Sequence, residues 1–102
     1  MTALAPLLQA FFTERLAKQR EASSHTICAY KNTFSLLLRF ARDRLRKAPS
    51  DILLKELNAP LIASFLHHLE VERKNSVRTR NARLAAIHSF FRSIPVLVPH
   101  HP

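Results

Sequence analysis

Arginine recurs at positions 78, 80 and 83 of the stretch SVRTRNARLAAIHSFFRSI, residues 76–94, which contains no acidic residue. A guanidinium fork matches the oxygens of a phosphate, so clustered arginines point first to anion binding. Their position sharpens that reading. The apolar spacing downstream predicts a helix capped by Ser76, and the first turn of a helix carries unpaired N–H groups and a partial positive charge. Cations are disfavoured there, whereas a phosphate gains from backbone donors, hydroxyls and arginines together. The candidate site comprises Ser76, Arg78, Thr79, Arg80, Asn81 and Arg83. On a helical wheel Arg78 and Asn81 lie opposite the apolar stripe, while Arg80 and Arg83 lie nearer its edges and are expected to project past the end of the bundle. The plainer alternative is a solubilising arginine face.

The stretch SSHTICAYKNT, residues 23–33, repeats the theme. Ser24, His25, Thr26 and Lys31 fall on the first turns of a second helix, with Arg39, Arg42 and Arg46 farther along. Here simple capping by Ser23 and Thr26 competes more strongly with ligand binding. Tyr30 sits on an apolar stripe and is expected in the core, and Cys28 is expected to be partly buried. His68 and Glu72 at i,i+4 make only two ligands, too few for a metal centre. No Ser/His/Asp set, carboxylate pair or nucleotide loop is visible, so no cofactor and no catalytic residue is assigned.

Charge gives these helices a context. The 102 residues carry 16 Lys and Arg against 7 Asp and Glu, a net charge of +9. That balance implies a polyanionic partner, nucleic acid before an anionic membrane. The excess is not spread evenly. Residues 23–47 hold six basic residues and one acid, residues 48–72 one basic and four acids, and residues 73–102 six basic and no acid. A merely solvated surface intersperses the signs, so this segregation favours a directed basic face. One cysteine excludes an internal disulfide and suits a reducing compartment, and no apolar run approaches bilayer length. The absence of Gly argues against tight hairpins and Gly-rich phosphate loops.

Four amphipathic segments must position the charged residues, which predicts an all-α bundle. The first spans residues 4–20, with Leu4, Leu7, Leu8, Phe11, Phe12 and Leu16 at helical spacing. The second runs from Ser23 to Lys47, its stripe formed by Ile27, Tyr30, Phe34, Leu37, Leu38, Ala41 and Leu45. A connector follows in which Leu53, Leu54 and Leu57 tuck against the core. The third helix starts at Asn58 and buries Leu61, Ile62, Phe65, Leu66 and Leu69. Asn75 is the expected left-handed residue in the turn after it. The fourth helix has Leu84, Ile87, Phe91 and Ile94 as its stripe with Phe90 beside them, and is expected to end at Pro95. Residues 1–94 therefore form one domain and 95–102 a tail or the start of a linker.

Two runs carry a family resemblance. The first is Ser23, Thr26 and Tyr30, within LLQAFFTERLAKQREASSHTICAYKNTFSLLLRFA; the second is Ser76, Thr79, Arg80, Arg83, Leu84, Ala86, Phe90 and Phe91, within NSVRTRNARLAAIHSFFRSI. In this order and spacing they resemble the N-terminal core-binding domain of tyrosine recombinases, the phage-integrase superfamily. The resemblance implies a SAM-like, four-helix orthogonal bundle whose second and fourth helices face double-stranded DNA. It implies a catalytic domain in cis that carries an Arg/His/Arg set and a nucleophilic Tyr, so this chain alone is not expected to be an enzyme. The lone cysteine and the lack of a signal or spanning segment make a cytoplasmic location the default, and apolar stripes used up by the core leave no face for a membrane partner. A recombinase homo-oligomer and a nucleoid-associated location go with the same resemblance. Two positions depart from it: His88 stands where relatives often carry Arg, and Ser24 where they often carry Pro.

The leading expectation is thus a module that grips duplex backbone beside a catalytic domain. The alternative is a helical protein-interaction module, such as a truncated recombinase subunit mixing with full-length partners.

Overall fold

The computed structural model describes residues 2–16 and 23–97. They form α1 (Leu4–Ala10), a π-helical segment (Phe11–Leu16), α2 (Ser24–Leu45), two short 3₁₀ turns (Pro49–Asp51 and Leu54–Glu56), α3 (Ala59–Val71) and α4 (Val77–Leu97). The architecture is an all-α bundle of four helices, and among the described residues the only extended pairing is an isolated bridge between Ala3 and Leu53. That bridge fixes the start of α1 on the connector: Leu4 N donates to Ile52 O at 3.0 Å and Leu54 N to Thr2 O at 2.8 Å.

The first helix does not continue as one α-helix. It changes to π-helical winding at Phe11, and the core explains the change. Phe11 and Leu16, five residues apart, are both buried. In an α-helix that separation would turn them about 140° apart, whereas i→i+5 winding stacks them on one side. Residues 17–20 of the expected first helix lie outside the described residues.

The N-terminus of each long helix is written in the sequence. Thr26 N donates to Ser23 Oγ at 3.1 Å, Leu61 N to Asn58 Oδ1 at 3.0 Å and Thr79 N to Ser76 Oγ at 3.1 Å. Each cap satisfies one of the N–H groups that the helix itself leaves unpaired. C-termini diverge from expectation more. α2 ends at Leu45, two residues early, because Arg46 takes the left-handed conformation at φ 57°. After α3 the left-handed residue is Lys74 (φ 53°), not Asn75. Without glycine two cations accept that conformation, which costs about 1–2 kcal/mol each, at helix ends where positive charge suits the dipole. Asn75 instead works through its amide: Nδ2 donates to Arg73 O, and Oδ1 accepts from Arg83 Nε. α4 passes through Pro95 rather than ending there. In the final turn the missing N–H removes a single rung of the ladder, which the helix tolerates.

A phenylalanine cluster joins the elements. Phe90 of α4 meets Phe11 and Phe34 edge-on at 5.5 Å each, and its neighbour Phe91 at 5.4 Å. The buried face of α4 is rotated from the expected stripe. Ala86, Ile87, Phe90, Ser93 and Ile94 are buried, while Leu84 and Phe91 are only half-buried. Ala86 and Ser93 admit close approach, and Ser93 satisfies its hydroxyl on Ser89 O at 2.9 Å. In the connector Ile52 is buried with Leu54 and Leu57, in place of the expected Leu53. Lys47 Nζ donates to Glu56 Oε1 at 2.8 Å, and Leu53 N donates to the same oxygen. The bond from Lys47 and then that backbone donor hold the Glu56 carboxyl below its ordinary pKa.

Candidate nucleic-acid interface

The first turns of α2 and α4 are built alike, from Ser23-Ser24-His25-Thr26 and Ser76-Val77-Arg78-Thr79. In both, the serine caps the helix and its Oγ lies 3.1 Å from the threonine Oγ1 three residues on. The two threonines line one groove, together with Ala29, Tyr30 and Thr33 of α2 and Arg78, Ala82 and Arg83 of α4. The alanines lower the walls of this groove. Tyr30 serves both sides: its ring stacks on Phe11 at 6.4 Å and it also borders the groove.

Arg83 is tied more firmly than the sequence indicated. Rather than projecting past the bundle, its Nη1 donates to Thr33 Oγ1 at 3.3 Å and its Nε to Asn75 Oδ1 at 3.4 Å. Thr33 is buried, and its own hydroxyl donates to Ala29 O at 3.0 Å. One guanidinium therefore links α2, α4 and the turn before α4. Burial, and then the nearby Arg73, lower the Arg83 pKa. The cation is partly stripped of water beside a like charge, a setting in which an incoming anion is favoured.

Arg80 also departs from expectation. It turns toward α3, where Nε lies 2.9 Å from Glu70 Oε1, while Nη2 donates to Asn81 Oδ1 at 3.1 Å. The Glu70 contact is an ion pair by distance, but the shielded Nε–H makes no directed hydrogen bond. Arg78 is exposed on the groove wall.

The remaining candidates scatter. Ser24 and His25 on the first turn of α2, the cap Ser76 and Asn81 one turn into α4 are exposed, outside the groove lining. Lys31 and Arg42 are also exposed, but at 100° per residue they point about 140° and 160° away from Thr26. Arg42 pairs with adjacent Asp43 at 3.1 Å. So the structure brings together Thr26, Arg78, Thr79 and Arg83, holds Arg80 beside them against α3, and leaves Lys31 and Arg42 on another face. Thr33 was missed. A threonine inside an apolar stripe that needs a polar partner was the available signal. Cys28, expected to be partly buried, is exposed. Among the described residues no group of three His, Cys, Asp or Glu side chains could hold a metal, and no helix is long and apolar enough to cross a membrane.

Comparison with known proteins gives this helical frame its family. The model of the phage integrase N-terminal SAM-like domain matches residues 10–94, and the chain belongs to that family. Two curated relatives from Sinorhizobium fredii (strain NBRC 101917 / NGR234) are similar to it. "Putative integrase/recombinase y4rC" is 55% identical over 98 residues, covering 96% of this chain and 30% of the relative. "Putative integrase/recombinase y4rD" is 48% identical over 96 residues, covering 94% of this chain and 34% of the relative. The chain thus spans about a third of the length of these relatives. No solved structure matches it.

Proposed function

We propose that this domain grips the backbone of duplex DNA as the N-terminal module of a tyrosine-type recombinase or integrase. The observation that carries the reading is the α2–α4 groove, where two capped first turns and the Arg78 and Arg83 guanidiniums converge. A phosphate in the groove would meet Thr26 and Thr79 hydroxyls, the free fork of Arg78 and the desolvated charge of Arg83. It would also supply the negative charge that the first turn of α4 lacks. Contacts of this kind fix position on the duplex without reading its sequence. Asn81, whose Oδ1 is engaged by Arg80, retains amide donors for a base edge or a phosphate. In a protein as long as the relatives, the catalytic residues would lie in the remainder of the chain.

The test is fluorescence anisotropy with a labelled random-sequence duplex across a salt series. Binding should weaken steeply with salt, and Arg78→Ala should flatten the slope of log K against log salt by about 0.9, the share of one phosphate. Arg78 is the better probe than Arg80 or Arg83, because neither fold nor ion pair depends on it. Binding that ignores salt, or a slope unmoved by Arg78→Ala, would contradict the proposal. A salt-insensitive protein complex without duplex binding would support the interaction-module alternative.

A further inference from the structure

Glu70 and Arg80 are each misplaced on their own helix. Glu70 lies in the last turn of α3, where a carboxylate opposes the helix dipole, and Arg80 is the fourth residue of α4, where a cation does. Across the gap they meet, with Nε 2.9 Å from Oε1. The pair is only partly shielded, at 32% and 38% side-chain exposure. It is also imperfect: the contact is through Nε, whose N–H makes no directed hydrogen bond, while Nη2 donates to Asn81 Oδ1 instead. No other carboxylate pairs with an arginine of α4 among the described residues. Arg80 is therefore the one cation at the start of α4 that already holds an anion.

We infer that Glu70 is an internal competitor for the DNA phosphate: it occupies Arg80 in the free domain and so limits the affinity for DNA of any sequence. This rests on the proposed DNA-binding reading. A phosphate can engage two guanidinium nitrogens in parallel hydrogen bonds, which a contact without a directed hydrogen bond cannot match. Duplex binding then either displaces Glu70 or proceeds without Arg80. In both cases the carboxylate subtracts from the non-specific grip, leaving more of the total affinity to contacts that depend on sequence or on a partner domain.

The test compares Glu70→Gln with wild type in the same duplex titration. Glu70→Gln should bind random duplex roughly three- to tenfold tighter at low salt, with a slope steeper by about 0.9. Glu72→Gln removes the same charge two residues away without touching Arg80, and should produce a smaller gain and no change in slope. In an Arg80→Gln background the Glu70→Gln gain should shrink to that of Glu72→Gln, as a direct pair requires. Glu70→Ser, melted alongside, provides a second variant with the same expectation if the glutamine alters folding. The inference is overturned if Glu70→Gln binds more weakly, if Glu72→Gln matches it, or if the full gain survives without Arg80. An unaltered Glu70→Gln, against a wild-type slope that still responds to Arg78→Ala, overturns the role of Glu70 alone. A wild type that shows no salt-dependent binding overturns the DNA-binding reading and this inference with it.

Discussion

Replacing Phe90 with Ala is expected to cost about 3–5 kcal/mol of folding stability, the largest effect of any single change considered. Phe90 is fully buried, and its ring contacts Phe11 and Phe34 edge-on. It therefore joins α4 to both the π-helical segment and α2. Truncation removes the transfer energy of the ring, leaves a cavity and strips the edge-to-face contacts from two partners. A domain of this size has about 5–15 kcal/mol in total, and each kcal/mol moves its melting temperature by about 4–8 °C. Thermal denaturation followed by circular dichroism should show a fall of well over 10 °C. A Phe90→Ala protein that melts within a few degrees of wild type would mean that the cluster is not packed as described. Phe90→Leu should recover much of the loss, because it restores volume without the aromatic geometry.

Arg83→Ala is expected to lose about 1–3 kcal/mol, more than a surface arginine should. The loss comes from two bonds, to Thr33 Oγ1 and Asn75 Oδ1, and from the packed stem of the side chain. The charge itself does not help the free fold, since burial and Arg73 disfavour it. That separates the contributions. Arg83→Met keeps the stem and drops both fork and charge, so it should fall between wild type and alanine. Arg83→Lys keeps a charge that the site resists and cannot span both acceptors, so it should be no better than methionine. Urea midpoints at constant m-value report the order. If Arg83→Ala leaves the midpoint unchanged, the three-way link between α2, α4 and the preceding turn is not a structural tie.

Much of the fold was legible because helix starts are local. Ser23, Asn58 and Ser76 each cap the helix they precede, and a cap needs only a side-chain oxygen and an N–H three residues away. The apolar stripes of α2 and α3 were also readable from period alone. What the sequence hid was decided by neighbours. The π winding at Phe11 exists because Phe11 and Leu16 must enter the same core. The rotation of α4 toward Phe90 goes with the ring contacts that Phe90 makes to Phe11 and Phe34 on other elements.

The site followed the same division. Charge counting picked out the two helices that line the groove, and the repeated Ser-x-x-Thr starts marked the turns that open it. It could not rank the arginines. Arg78, Arg80 and Arg83 look equivalent in sequence, yet one is exposed, one is paired with Glu70 and one is pinned to Thr33. The partners that distinguish the last two, Glu70 and Thr33, lie 10 and 50 residues away, beyond any local pattern.

The claim that the α2–α4 groove receives duplex DNA is tested most directly by amide chemical-shift mapping of the ¹⁵N-labelled domain with a short duplex at low salt. The account predicts the largest shifts in Ser24–Thr33 and Val77–Arg83, with the outer face of α3 and the connector at Pro49–Asp51 nearly still. Shifts centred on α3 or the connector, or none at a duplex excess in low salt, would contradict it.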